Sequence, residues 1–258
     1  MGNQQTFFDF AAKVGLTKQL GGIGATEELI KLCHISEGKY VLDVGCGVGV
    51  TSCLIAKKYG CKVFGVDINE GMIKRSEERA KKGGIENSVD FKVADAQNLP
   101  FENDLFDAVI TESVTAFPED KQRAVNEYVR VTKPGGYVGL NESTWVKVPP
   151  PPELVRWASR DLGANVQPLT SGGWVELLKG AELREIVVKT YKINLRNEAK
   201  GIFRRYGFGG MSGILFRMLS LYFKSPAYRN FVKEVRKDGI APKNLDEYFG
   251  YGLYIGRK

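Results

Sequence analysis

Val41–Ala56 reads VLDVGCGVGVTSCLIA: an apolar run, three alternate glycines and a second apolar run. Tyr40 to Val44 has the composition of a buried strand, the resumed pattern that of a helix to about Tyr59, and the glycines make the tight turn between them. A strand, a glycine turn and a helix are the local architecture that holds a nucleotide-bearing cofactor. Hydride-transfer and methyl-transfer enzymes both build it, so the stretch sets an architecture and leaves two chemistries open.

Glycine spacing is the first discriminator. A dinucleotide fingerprint needs GxGxxG, its third glycine letting helix and strand pack closely. Here the glycines are Gly45, Gly47 and Gly49, and position 50 is valine. Asp43 lies two residues before the first of them, and Asp67 stands at the tip of the next strand, predicted over Lys62–Val66. An acid there accepts both ribose hydroxyls, which NAD and S-adenosylmethionine share. Three later stretches separate the two. VADAQNLPF, from Val93, ends a third strand (about Val89–Ala94) at Asp95, where a carboxylate or neighbouring amide reads an adenine amino group. FDAVITESV, from Phe106, is an apolar strand that turns polar at the sheet's carboxyl edge, where open α/β sheets bind ligands. EYVRVTKPGGYV, from Glu127, supplies a helix, a glycine turn and a fifth strand (Tyr137–Leu140).

Working outward, Thr26 with Glu27 and Glu28 predicts an N-cap and acidic first turn for a helix to about His34. Helices are expected over Glu70–Lys82, stopped by Gly83-Gly84, and over Asp120–Val131. VPPPP at Val148–Pro152 reads as a stiff extended linker. A short helix at Trp174–Lys179, a strand at Leu183–Ile193 and a last strand in YGLYIGRK, from Tyr251, complete the pattern. The expected fold is α/β: a Rossmann-like, doubly wound, seven-stranded and mostly parallel sheet, with a helical insert before the last strand. Residues 1–192 and 251–258 form the expected core and 193–250 the insert. FFDFAAKVGLTKQLGG, ending in paired glycines suited to a hinge, makes residues 1–22 an expected lid.

Together these motifs resemble the class I S-adenosylmethionine-dependent methyltransferases. GGIGATEELIKLCHISEGKYVLDVGCGVG, from Gly21, looks in particular like the small-molecule branch that acts on quinones, tocopherols, sterols and amines. The resemblance covers about Gly21–Asn141. It implies S-adenosyl-L-methionine as cofactor, left as S-adenosyl-L-homocysteine. It implies that Gly45 and Gly47 let the backbone approach the methionine moiety, with Asp43 near its ammonium and Gly49 also among the cofactor-binding residues. Asp67 would bind the ribose, Ile68 and Met72 would pack on the adenine, and Asp95 and Ala96 would meet the adenine edge. Glu112 and Glu142, after the fourth and fifth strands, are the candidate general bases. His34, the only histidine, is expected outside the chemistry.

The chain carries 37 Lys and Arg against 30 Asp and Glu, a net charge of +7. Of these, 11 Lys and Arg against 5 Asp and Glu fall between Ile193 and Gly250, and the remaining 200 residues are nearly neutral, 26 against 25. The same segment holds 10 of the 28 aromatic side chains. Basic residues interleaved with aromatics raise an RNA methyltransferase as an alternative. No RNA-binding module is appended, however, and Thr111–Val114 reads TESV where an amine-methylating NPPY-like tetrad would stand, so nucleic acid is not the expected partner. In GILFRMLSLYFK, from Gly213, Arg217, Ser220 and Lys224 form one narrow stripe and leave a broad apolar face. That predicts a small-molecule acceptor with an apolar or amphiphilic body, such as a lipid, prenyl or quinone-like compound, and peripheral contact with an anionic membrane surface. Methylation of a small polar amine competes with that reading, as does a non-enzymatic role in cofactor binding. Cys33, Cys46, Cys53 and Cys61 have no CxxC spacing, so no metal is expected. With neither a secretory signal nor a membrane-spanning run, a cytoplasmic location is expected.

Overall fold

The glycine turn lies at the centre of the molecule because its strand does. β1 (Tyr40–Val44) is flanked on one side by β2 (Lys62–Asp67) and β3 (Val89–Val93), and on the other by β4 (Phe106–Glu112), β5 (Thr132–Trp145), β8 (Phe249–Arg257) and β7 (Arg184–Lys192). The order is β3-β2-β1-β4-β5-β8-β7, with β6 (Leu169–Thr170) paired to β5 off this path. Strands β1 to β5 pair in parallel, whereas β8 runs antiparallel to both β5 and β7. Connections leave β1 in opposite directions, so a crevice opens at the carboxyl ends of β1 and β4. The computed structural model describes residues 7–17, 19–161, 166–193, 195–237, 242 and 244–258.

Parallel strands need crossover helices, and those helices bury both sheet faces. Val41 joins Ala25, Leu29 and Ile30 of α2 (Gly22–Leu32) and Ile55 of α3 (Val50–Tyr59) on one face. Leu42 and Val44 join Val125 and Tyr128 of α5 (Lys121–Val131), and Trp174 and Leu178 of α7 (Ser171–Gly180), on the other. This alternation is the period of two that a two-sided strand requires. Leu29 and Ile30 are fully buried, each contributing about 1.5–3 kcal/mol. The remaining helices are α1 (Phe7–Val14), α4 (Glu70–Gly83), α6 (Pro152–Asp161), α8 (Leu195–Lys224), α9 (Pro226–Lys237) and α10 (Leu245–Tyr248).

Among the described residues the sheet has eight strands rather than seven. The additional one, β6, has two residues and leaves no periodic signal. α2 begins at Gly22, with Gly21 in the left-handed region as its N-cap, so Thr26 is an interior residue and not the cap. β5 begins at Thr132, which pairs with Phe106 of β4, and runs to Trp145 because β8 pairs with it from Tyr137 to Trp145. The proline run ends in a helix: Pro152 opens α6, the first helical position being the one that tolerates proline. Of the expected lid, residues 1–6 and 18 lie outside the described residues, and α1 occupies much of the rest.

α8 is one element with a break at Gly207, whose φ of 64° is not helical. Its orientation inverts a simple amphipathic expectation. Ile214 is buried, and Arg217 reaches back to the body, its Nε donating to the Val14 carbonyl at 2.6 Å. Of the expected polar stripe, Arg217 therefore faces the protein and Ser220 is half-buried, whereas Lys224 is exposed. Phe208, Leu215, Phe216, Leu219, Tyr222 and Phe223, spaced as one helical face, stand exposed.

Candidate active site

The glycine loop is braced from four sides. Cys46 N donates to the Val66 carbonyl at 2.9 Å, and Gly47 N to Asp67 Oδ2 at 2.9 Å. Asp67 Oδ1 also accepts from Asn69 N at 2.9 Å, so this carboxylate joins the loop to the start of α4. From α4, Ser76 Oγ donates to the Gly47 carbonyl at 2.8 Å and Arg79 Nε to the Val48 carbonyl at 2.7 Å. Burial pushes the Asp67 carboxyl above its ordinary value, against the two amides that hold it down. Gly45 and Gly47 have φ of 69° and 55°. A Cβ on Gly45 would lie 2.2 Å from Val114 Cγ2, and one on Gly47 2.7 Å from Thr17 Cγ2. Both turn and packing therefore exclude a side chain. Gly49 caps α3 against Ser76.

Ile68 follows Asp67 and is 71% exposed, an apolar side chain standing free beside the carboxylate. Met72 is buried against Ala12 and Val48, beneath the same edge. Asp95 and Ala96 are half-buried at the end of β3, and Asp95 Oδ1 accepts from Gln97 N at 2.9 Å. Asp43 is not in the loop but under it, 2% exposed, with Oδ2 accepting from Ser52 Oγ at 2.6 Å. Burial pushes its carboxyl up to about 7, Ser52 opposing the shift and the Glu112 charge adding to it.

The two candidate bases differ. Glu112 ends β4 and accepts from Thr51 Oγ1 (2.7 Å), Thr26 Oγ1 (2.9 Å) and Asn141 Nδ2 (3.3 Å). It therefore ties together α2, α3, β4 and β5. Glu142 is wholly buried, and one oxygen takes the amides of Thr115 (2.6 Å) and Val114 (2.9 Å) while the other has no partner among the described residues. Burial pushes its carboxyl up to about 7 despite those amides. It shapes the loop after β4, including the Val114 that packs on Gly45. His34 lies at the opposite edge of the sheet, its ring 4.8 Å from that of Tyr137 near the start of β5.

Several residues that build the site carry no individual sequence signal. Tyr206 of α8 donates its hydroxyl to the Thr17 carbonyl at 3.1 Å and accepts from Thr17 N at 2.8 Å, holding Thr17 against Gly47. Thr51 and Ser52 are the exception. Two hydroxyls at the start of an apolar helix are a readable anomaly, and they serve Glu112 and Asp43.

The donor set fits an adenosyl cofactor. A carboxylate with unused lone pairs would suit ribose hydroxyls, an exposed aliphatic side chain an adenine face, and side-chain-free backbone the amino-acid part. Comparison with known proteins agrees. The methyltransferase-domain family matches residues 41–136. An uncharacterized protein of Haemophilus influenzae is 31% identical over 189 residues, covering 72% of this chain and 75% of that protein. The chain belongs to the class I S-adenosylmethionine-dependent methyltransferases. Among methyltransferases with names, GfsG of Streptomyces halstedii is 36% identical over 116 residues, 45% of this chain and 41% of GfsG. Among solved structures, phosphoethanolamine N-methyltransferase 2 of Haemonchus contortus, in complex with phosphomonomethylethanolamine and S-adenosylhomocysteine, has the same fold. It superposes with a TM-score of 0.74 at 19% identity, over 99% of this chain and 58% of that one. S-adenosyl-L-methionine is the cofactor of this methyltransferase. No helix among its described residues is long and apolar enough to cross a membrane.

Proposed function

We propose that this methyltransferase acts on a small molecule with an apolar or amphiphilic body, which it meets at an anionic membrane surface. The observation that carries this is the outward row on α8. Phe216 is 74% and Phe223 77% exposed, on an element that with α9 holds ten Lys and Arg against two Asp and Glu. An apolar face with a cationic surround is the composition of a helix lying in a lipid interface.

The proposed core is residues 1–192 and 251–258, the insert 193–250, and the lid 1–22. Gly45, Gly47 and Gly49 would admit the methionine part, Asp43 acting from beneath through α3. Asp67 would take the ribose hydroxyls, Ile68 and Met72 the adenine face, and Asp95 and Ala96 its edge. The bound cofactor supplies a sulfonium methyl that is already electrophilic. What remains for the chain is to align the acceptor and exclude water, and alignment alone is worth several kcal/mol. The Thr17 segment, pinned by Tyr206 over Gly47, supports a role in excluding water. Where the attacking atom carries a proton, Glu112 would accept it, its place held by Thr26, Thr51 and Asn141. Glu142, sealed in the interior, would position the loop after β4.

The test is incubation with methyl-labelled cofactor, the purified chain and total cell extract, followed by organic extraction. Label in the organic phase is expected. Label confined to polar metabolites would replace the amphiphilic acceptor with a small amine, and label in RNA would overturn a small-molecule acceptor altogether.

A further inference from the structure

A second cluster of charge lies outside the cofactor loop. A cleft of about 460 Å³ opens between α2, α3, α4 and α8. Thr26 and Thr51 line it together with four cations: Lys57, Lys58, Arg79 and Arg205. None of its described lining residues is acidic. Lys58 is paired outside the cleft with Glu27. Arg205 Nε is buried and has no hydrogen-bond partner among the described residues. Its charge bears on Arg79, whose guanidinium is held below its ordinary value by burial first and by Arg205 among lesser causes, and also on the buried Asp43, whose carboxyl it lowers against the larger effect of burial. Like charges gathered in a partly buried cleft repel, and a buried guanidinium N–H without an acceptor is costly. An anion would remove both costs.

We propose that this cleft binds a phosphate monoester or diphosphate group. Guanidinium forks match phosphate oxygens in geometry, and a dianion compensates several cations where a lone carboxylate compensates one. The volume lies within the roughly 300–1,000 Å³ typical of small-molecule sites, so the anion is one part of a larger ligand. The cleft adjoins the cofactor loop, whose Val48 carbonyl Arg79 also holds, and its occupant would touch Thr26 and Thr51, the hydroxyls that hold Glu112.

The experiment is calorimetric titration of the full chain with pyrophosphate and with inorganic phosphate, neither requiring cofactor nor turnover. Saturable binding is expected, weakened on the order of tenfold or more in Arg205→Gln, the loss of one charge-assisted contact. Lys92→Gln, which removes an exposed charge on β3, should bind as the parent does. Circular dichroism checks the fold, and Lys57→Gln, an exposed position, replaces Arg205→Gln if that variant unfolds. Sedimentation with phosphatidylcholine vesicles, with and without phosphatidic acid, distinguishes the source of the phosphate. Capture by phosphatidic acid that pyrophosphate competes away and Arg205→Gln loses assigns the site to a lipid headgroup. Pyrophosphate binding without such capture assigns it to a soluble phosphate compound. No saturable binding of either anion, or equal weakening by Lys92→Gln, overturns the proposal.

Discussion

The glycine loop and α8 both border the carboxyl edge of the sheet, yet they satisfy their chemistry in opposite ways. In the loop, the Cys46 and Gly47 amides and the Gly47 and Val48 carbonyls have partners inside the chain, and the carboxylates of Asp43 and Asp67 are engaged as well. In α8 the apolar row is exposed, and the Arg205 Nε has no hydrogen-bond partner among the described residues. A region complete within itself can be held in one conformation before a ligand arrives, which is what alignment of a methyl group demands. A region left incomplete among the described residues is the one where an added partner would gain most.

The largest effect expected from this contrast is a pH dependence of stability set by the two buried acids behind the loop. Asp43 and Glu142 are both pushed up to about 7 by burial, whereas unfolded carboxyls titrate near 4. Between those values the folded chain binds more protons than the unfolded one. The contribution of these groups is therefore most favourable below about 4 and is lost as the pH rises to about 7. Thermal unfolding across that range should show a loss on the order of several kcal/mol, and Asp43→Asn with Glu142→Gln should flatten it. A slope unchanged in the double variant would mean that the loop's interior is not where those protons are held.

Next in size is Gly45→Ala. A side chain at φ 69° meets Val114 at 2.2 Å, and denaturant titration should register a loss of about 2–4 kcal/mol. A neutral result would show that the loop is looser than its bracing implies. Asp67→Ala should weaken S-adenosyl-L-methionine binding by about 1–3 kcal/mol in calorimetry, the value of charge-assisted hydrogen bonds. The same variant also frees the Gly47 amide, so hydrogen exchange at Gly47 should rise. Smallest on stability is Phe216→Ser with Leu219→Ser, which changes exposed side chains and should shift unfolding by less than about 0.5 kcal/mol. Its effect belongs to acceptor use. A folded double variant that methylates an amphiphilic acceptor at the parental rate would make α8 a structural cap. Hydrogen exchange over residues 7–17, with and without S-adenosyl-L-homocysteine, sharpens the contrast further, because a lid gains protection and a permanently docked helix does not.

Most of the nucleotide half was legible because its signals are local. Alternation in β1, the positive-φ glycines and the acid at the tip of β2 each follow from neighbours within a few residues. The start of α2 departs from its sequence signal for the opposite reason. Thr26 has the chemistry of a cap, but its hydroxyl is drawn to Glu112, 86 residues away, and the Gly21-Gly22 pair opens the helix instead. β6 gives no signal because two residues have no period. Glu142 resembles Glu112 in sequence, each expected just after a strand, but Glu112 ends β4 and Glu142 lies within β5, and only packing distinguishes the engaged half-buried carboxylate from the sealed one.

By itself the sequence determined the α/β order of elements, the glycine loop with its acids and the concentration of positive charge between residues 193 and 250. These follow from backbone sterics, hydrophobic period and composition, none of which needs a distant partner. Only the tertiary structure decided which way α8 turns, because an amphipathic helix specifies two faces and not which one is inward. Arg217 found the Val14 carbonyl and Tyr206 found the Thr17 backbone, so the side with Ile214 and Arg217 packs on the body and the apolar row meets the solvent.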